Sequence, residues 1–186
     1  MAKPEHPLLC CARQEQPQAG GHAKTAPTRP PLGARLYFGR DAEDQLRAGE
    51  QVDFAHLDLP SRENAYLMCP ADPLICNLKA DEASPVFPVD PARLRDRWME
   101  MAAAEPRVHL VSADKDRRHL VYIQHSLFFE FPDIITVEFL PTGNGKSTLA
   151  LLSRSRYGKS DFGVNAARVD GWIARLKALT EAGGNP

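Results

Sequence analysis

Hydrogen-bond donors are concentrated in residues 153–169, at the junction of a predicted strand and a predicted helix. Arg154 and Arg156 are two residues apart on the strand, so their side chains share one face. The free amides at the start of the following helix add positive potential. Guanidinium groups beside such amides suit a carboxylate or a phosphate group. The segment therefore predicts a small anion site formed by Arg154, Arg156, Lys159, Asn165 and Arg168.

A purely structural role is the alternative for the same segment. Asp161 could pair with Arg156 or Arg168, and Asn165 could cap the helix. Glycines suit backbone conformations that other residues avoid. On this interpretation a structural loop is formed by Gly158, Asp161 and Gly163.

Other motifs do not define a catalytic or metal site. The run from Gly143 to Ser147 ends like a P-loop, but residue 140 is a leucine where the motif needs glycine, and a strand pattern follows. Asn144 and Gly145 instead predict a hairpin turn. The predicted core contains His109, His119 and His125, with no carboxylate at a matching spacing, so neither a metal nor a cofactor is expected.

Composition restricts the class of protein further. The chain has 186 residues and a formal net charge of −1, which argues against nucleic acid or an anionic membrane as a general partner but leaves room for a local basic patch. No run approaches the roughly 20 apolar residues of a spanning helix. The start lacks the apolar region of a secretory signal, so a soluble cytoplasmic protein is expected. Cys69 and Cys76 lack zinc-ligand spacing and are interpreted as incidental cysteines.

The sequence divides into four parts. Residues 1–33 are rich in proline and predict a disordered tail, because they cannot bury enough apolar area to fold. Residues 34–64 predict an irregular acidic arm. Residues 65–182 predict a single α+β domain, and residues 183–186 a short C-terminal tail.

Hydrophobic periodicity gives the elements of that domain. Asp90 and Pro91 are typical of a helix start, so a helix is predicted over 91–105, ended by Pro106. A period of two predicts strands over 107–113, 119–131, 134–140 and 147–155, and a period of 3.6 predicts a helix over 165–182 with Arg168 facing outward. The expected fold is a four-stranded antiparallel meander with the N-terminal helix and the long C-terminal helix packed on one face, similar by analogy to helix-grip proteins.

This arrangement predicts an apolar pocket between the sheet and the last helix. Its expected lining is Val121, Ile123, Phe129, Val137, Trp172 and Leu176. With the arginines at the mouth, the pocket suits a small amphipathic ligand with an anionic head, held by a non-catalytic binding or accessory protein. Two alternatives remain: an enzyme of unknown reaction that uses Asp161, Arg156 and His125, and a protein–protein adaptor without a pocket.

The run SRSRYGKSDFGVNAARVDGW, preceded by FEFPD at residues 129–133, resembles the signature of the domain-of-unknown-function 1499 family, small bacterial and plastid-type proteins. The shared pattern falls on Ser153, Ser155, Arg156, Gly158, Asp161, Gly163, Asn165, Arg168 and Val169. The resemblance covers about residues 65–180. It implies a recognisable domain and no activity. At Cys69 to Cys76, Leu74 and Ile75 depart from the family's cysteine segment, so no disulfide is inferred there.

Overall fold

A helix begins at Pro91 because Asp90 caps it. In the computed structural model, which describes residues 52–59, 61–116, 118–127 and 130–182, the Asp90 carboxylate accepts from the amides of Ala92 (2.9 Å) and Arg93 (3.0 Å). This side chain satisfies two of the amides that have no partner within the helix. The predicted tails, 1–33 and 183–186, and most of the predicted arm lie outside the described residues.

The described elements are two helices and six strands, with a short 3-10 turn at Phe54–His56 before them. In chain order they are β1 (Ala65–Cys69), β2 (Glu82–Ala83), α1 (Pro91–Ala103), β3 (Val108–Ala113), β4 (His119–His125), β5 (Pro132–Gly143), β6 (Lys146–Ser155) and α2 (Val164–Ala182). The predicted α+β class is confirmed.

The sheet is mixed and larger than predicted. Its strand order is β2-β1-β6-β5-β4-β3, so β3 to β6 are antiparallel neighbours in chain order, while β1 joins the free edge of β6 and pairs in parallel with β2. The four-stranded sheet was therefore an incomplete prediction. The stretch that contains β1 and β2 is interrupted by prolines, which remove ladder donors and hide a strand pattern.

Strand β4 is shorter than predicted. It ends at His125 rather than at residue 131, because the amide of Ser126 donates to the carbonyl of Phe131 (2.9 Å) and closes a turn. The chain then re-enters the sheet at Pro132, two residues before the predicted start of that strand at residue 134. Residues 128 and 129 of this turn lie outside the described part.

Both faces of the sheet are buried. The helix side carries Leu120, Tyr122 and Val137 against α1 and α2, where Trp98 and Trp172 meet edge to face with ring centroids 5.4 Å apart. The opposite side carries a second core, with members Phe54, Leu57, Leu67, Cys69, Cys76, Ala150 and Leu152. The residues just before β1 therefore supply part of the domain's apolar interior.

This double burial corrects the predicted orientation of β4. The sequence pattern placed the odd positions toward the helices, but the even positions Leu120 and Tyr122 lie there. Val121 and Ile123 pack with Ile134 in a separate cluster. Since side chains alternate along a strand, Val121 and Ile123 point to the opposite face.

Cys69 and Cys76 form a disulfide, so their interpretation as incidental cysteines was wrong. The bond closes the loop that follows β1, and both cysteines are buried in the second core. In the described part of the chain no helix is long and apolar enough to cross a bilayer, and His, Cys, Asp and Glu form no group that could hold a metal ion.

Candidate functional site

Arg168 lies at the centre of a buried polar network where β6 meets α2. Its side chain is 9% exposed, so the predicted outward orientation was wrong. The guanidinium donates to the Asp133 carboxylate, which is 8% exposed, and to the side-chain oxygens of Gln124, Ser153 and Asn165. All three guanidinium nitrogens have acceptors, as a charge in a poorly solvated place requires.

Asn165 joins this network to the start of β1. Its Oδ1 accepts from the Ser153 hydroxyl (2.7 Å), and its Nδ2 donates to the Asn64 carbonyl (3.1 Å) and to the Ser155 hydroxyl (3.3 Å). The side chain is fully buried. Asn165 therefore does not cap α2 as suggested from the sequence, because its amide group is turned into the junction.

Asp161 does the capping instead. Its two carboxylate oxygens accept from the amides of Gly163 (3.1 Å) and Asn165 (2.8 Å). Gly158 and Gly163 have φ angles of +94° and +82°, a region where glycine is favoured. These contacts fix the backbone conformation of the loop that leads into α2.

The predicted anion site is divided between the two faces of the sheet. Ser153 and Ser155 direct their hydroxyls to the helix side, so Arg154, between them, points to the opposite side. There Arg154 and Arg156 line a cleft of about 180 Å³ together with Leu59, Ser61, Asn64 and Ser155. Arg168 and Asn165 belong to the other face, and Lys159 is exposed on the intervening loop.

The predicted apolar pocket is not formed as expected. Val137, Trp172 and Leu176 are buried together in the helix-side core, whereas Val121 and Ile123 belong to the cluster on the opposite face. Phe129 lies outside the described residues. The lining residues therefore do not surround one cavity.

The residues of the enzyme alternative have other partners. The Asp161 oxygens are taken by helix amides, and the His125 ring lies beside His109 with centroids 6.1 Å apart. Arg156 donates its backbone amide to the Pro132 carbonyl (3.0 Å). These contacts give Asp161 a structural role at the start of α2.

Sequence reasoning missed three residues of the junction. Gln124 and Asp133 accept hydrogen bonds from Arg168. The Nδ2 of Asn64 donates to the carbonyl of Ser155 at the end of β6 (3.4 Å) and to that of Gly158 in the following loop (3.0 Å). Asp133 lies in the gap between the strands predicted over 119–131 and 134–140. A carboxylate beside an apolar strand could have indicated a buried partner for one of the arginines, because a buried charge must be compensated.

Together these features define a class: an α+β domain with one mixed sheet, two helices on one face, and a polar junction where residues of the C-terminal motif meet Gln124 and Asp133. The model of the family described as "Protein of unknown function (DUF1499)" matches residues 67–176, and the chain belongs to this family. The predicted resemblance is confirmed.

Two further comparisons add little to the family assignment. A search of curated proteins found no match. Among solved structures, the chain is similar to the human StarD13 (DLC2) lipid transfer and protein localization domain, with 11% identity and a TM-score of 0.32 over 78% of this chain and 96% of that one. A TM-score this low does not establish a shared fold.

Proposed function

We propose that this domain is a non-catalytic binding module for a small anion, held in the cleft between Arg154 and Arg156. One observation carries the proposal: Arg154 on β6 and Arg156, the first residue after that strand, line one cleft with polar neighbours. Two arginines on one face can grip a carboxylate or a phosphate group with several charge-assisted hydrogen bonds.

The size of the cleft limits the ligand. Its volume of about 180 Å³ is below the roughly 300–1,000 Å³ typical of pockets that enclose a drug-sized molecule. It suits an inorganic anion or the anionic group of a larger molecule that extends into solvent. The core residues beneath α2 pack against each other, so we place only the anionic group of the ligand within the domain.

The proposal is tested by titrating the full chain with inorganic phosphate and following the amide resonances of Ser61, Asn64 and Ser155. We expect saturable shifts in the wild-type protein and, in the Arg154→Gln/Arg156→Gln variant, an affinity reduced at least about tenfold, equivalent to about 1.4 kcal/mol. Short-chain dicarboxylates tested in parallel separate phosphate from carboxylate preference.

The matched control is Arg97→Gln. Arg97 lies on α1 and pairs with Glu100, away from the cleft. It should leave the phosphate affinity unchanged. Equal affinities for the wild-type protein and the double variant, or shifts confined to other residues, would overturn the cleft as the site.

The disulfide bears on where the protein works. Cytosolic thiols are usually kept reduced, whereas disulfides persist in oxidising compartments. We propose an oxidising compartment in place of the cytoplasmic location expected from the sequence, supported by the buried Cys69–Cys76 bond. The test is the redox state of Cys69 and Cys76 in protein isolated from its native cells. We expect the disulfide to persist there, and reduced thiols would contradict this location.

A further inference from the structure

Part of the anion cleft is formed by the chain before β1. Leu59 and Ser61 line the cleft together with Arg154 and Arg156, and neither Leu59 nor Ser61 belongs to a helix or a strand. Residues outside regular elements depend on individual contacts for their position, because no ladder of backbone hydrogen bonds holds them. The shape of the cleft therefore depends on what fixes this part of the chain.

Asn77 fixes the backbone just before Leu59. Its Oδ1 accepts from the Leu57 amide (2.9 Å), and its Nδ2 donates to the Leu57 carbonyl (3.1 Å). The backbone amide of Asn77 also donates to the Phe54 carbonyl (3.2 Å). A side-chain amide that pairs with both backbone groups of one residue holds that residue as a neighbouring strand would. We call these three hydrogen bonds the Asn77 clamp.

The disulfide brings Asn77 to this position. Cys69 is the last residue of β1, and its bond to Cys76 holds the residue directly before Asn77 beside the sheet, with the two Cα atoms 6.4 Å apart. Cys76 and Leu57 both belong to the second core. A cross-link of this kind removes conformational freedom from the loop that it closes. The disulfide therefore lowers the entropic cost of forming the Asn77 clamp.

Asp81 makes a second contact with the chain before β1, but this contact does not need the disulfide. The Asp81 carboxylate accepts from the Arg62 guanidinium (2.8 Å) and from the Leu67 amide (2.8 Å), and the Asp81 amide donates to the Leu67 carbonyl (2.8 Å). These bonds to β1 keep Asp81 in place in either redox state. The Arg62–Asp81 pair is also partly exposed, and such pairs stabilise little. The disulfide thus acts on the cleft through Asn77.

We propose that formation of the Cys69–Cys76 disulfide converts the anion cleft from a weakly binding to a tightly binding state. In this oxidation each thiol loses its proton, and the two sulfurs together lose two electrons to a disulfide-bearing exchange partner, which is reduced to a dithiol. The new bond sets the Asn77 clamp, so Leu59 and Ser61 are in place before the ligand arrives. A preorganised site binds more tightly, because less ordering opposes association.

This inference rests on the proposed anion binding and adds the regulation of that site. It agrees with the proposed oxidising compartment, because the bond that completes the cleft is stable there. The chain would then bind its ligand only after the disulfide has formed.

The test compares the phosphate affinity of the full chain in three forms: oxidised, reduced with dithiothreitol, and Cys69→Ser/Cys76→Ser. We expect the oxidised protein to bind about fivefold more tightly than the other two, since those must order two lining side chains on binding. Hydrogen exchange of the Leu57 amide should be faster in the same two forms, because its acceptor belongs to Asn77. Dithiothreitol should leave the affinity of the double variant unchanged.

Asn77→Ala tests the route while the disulfide stays intact. It removes the two side-chain bonds of the clamp and should weaken phosphate binding about as much as reduction does. Leu74→Ser is the matched control, because Leu74 lies in the same disulfide-closed loop with its side chain 85% exposed. It should bind phosphate like the wild-type protein. Circular dichroism and tryptophan fluorescence establish that each form is folded.

The possible results separate the regulation from the binding. Equal affinities of the folded oxidised and reduced proteins would overturn the regulation and leave the cleft as the binding site. Wild-type affinity of the oxidised Asn77→Ala variant would overturn the regulation as well, even if the reduced protein unfolds. An oxidised wild-type protein that binds no phosphate would refute the proposed function, and the regulation with it.

Discussion

Arg168 carries a positive charge on a side chain that is almost completely buried. The cost of removing a charge from water is offset only when its partners are complete, and here Asp133, Gln124, Ser153 and Asn165 supply acceptors. These partners come from β4, β5, β6 and α2. Arg168 thus joins four elements at one point.

Replacing Arg168 should therefore destabilise the fold far more than replacing an ordinary arginine. We expect Arg168→Ala to lower the free energy of unfolding by about 3–5 kcal/mol, because Asp133 would be left buried without its partner. Arg97→Ala should cost less than about 1 kcal/mol, since Arg97 pairs with the exposed Glu100 one helical turn away. Urea denaturation of both variants checks this, and similar losses would contradict a buried network.

The position of the motif could be predicted from the sequence, but the roles of its residues could not. Local rules locate a strand, a loop with glycines and a helix start. The direction of Arg168, however, depends on Asp133, which is distant in the chain and adjacent only once the sheet has formed. Arg154 and Arg156 line one cleft, whereas Arg168 lies on the other face of the sheet, and that separation depends on how α2 packs against β6.

At the scale of elements, hydrophobic alternation located the strands better than it oriented them. Four consecutive residues of β4, Leu120 to Ile123, are buried because both faces of the sheet are covered. Alternation distinguishes a buried face from an exposed one and has no means of distinguishing two buried faces. The sequence therefore could not show which face of β4 packs against the helices, because the residues before β1 pack on the opposite face of the sheet.

The disulfide belongs to this scale, because it closes the loop between β1 and β2. Cys69 and Cys76 are seven positions apart, and closing a loop of that length stabilises a fold by about 2.5 kcal/mol in the chain-entropy account. We expect Cys69→Ser/Cys76→Ser to lose about that amount of unfolding free energy, and reductant to reproduce the loss in the wild-type protein.

Reductant should have no further effect on the double variant, which serves as the control. Alkylation followed by peptide mass spectrometry should modify Cys69 and Cys76 only after reduction and unfolding. Modification of both thiols in the untreated native protein would show that the bond does not form.

At the largest scale, the described part of the molecule is a sheet packed between two different layers. The helices cover one face, while the 3-10 turn and the disulfide loop cover much of the other, where Phe54 stacks on His119 with ring centroids 5.8 Å apart. Both layers pack on the same strands. We therefore expect the domain to unfold as a unit, because loss of either layer exposes the sheet on which the other layer packs.

Phe54→Ala tests this cooperation between the layers. Truncating a buried phenylalanine typically costs about 3–5 kcal/mol, and Phe54 is almost fully buried in the second core. Both tryptophans of the chain, Trp98 and Trp172, lie in the helix-side core. Their fluorescence therefore reports unfolding of the helix layer, on the face of the sheet opposite to Phe54. We expect Phe54→Ala to shift the tryptophan transition and the far-ultraviolet circular dichroism transition to the same lower urea concentration. Since Phe54 belongs to the second core and both tryptophans belong to the helix-side core, we expect the shared shift to arise through the sheet between them. A tryptophan transition that stays at its wild-type midpoint would show that the residues before β1 are a dispensable cover rather than part of the folding unit.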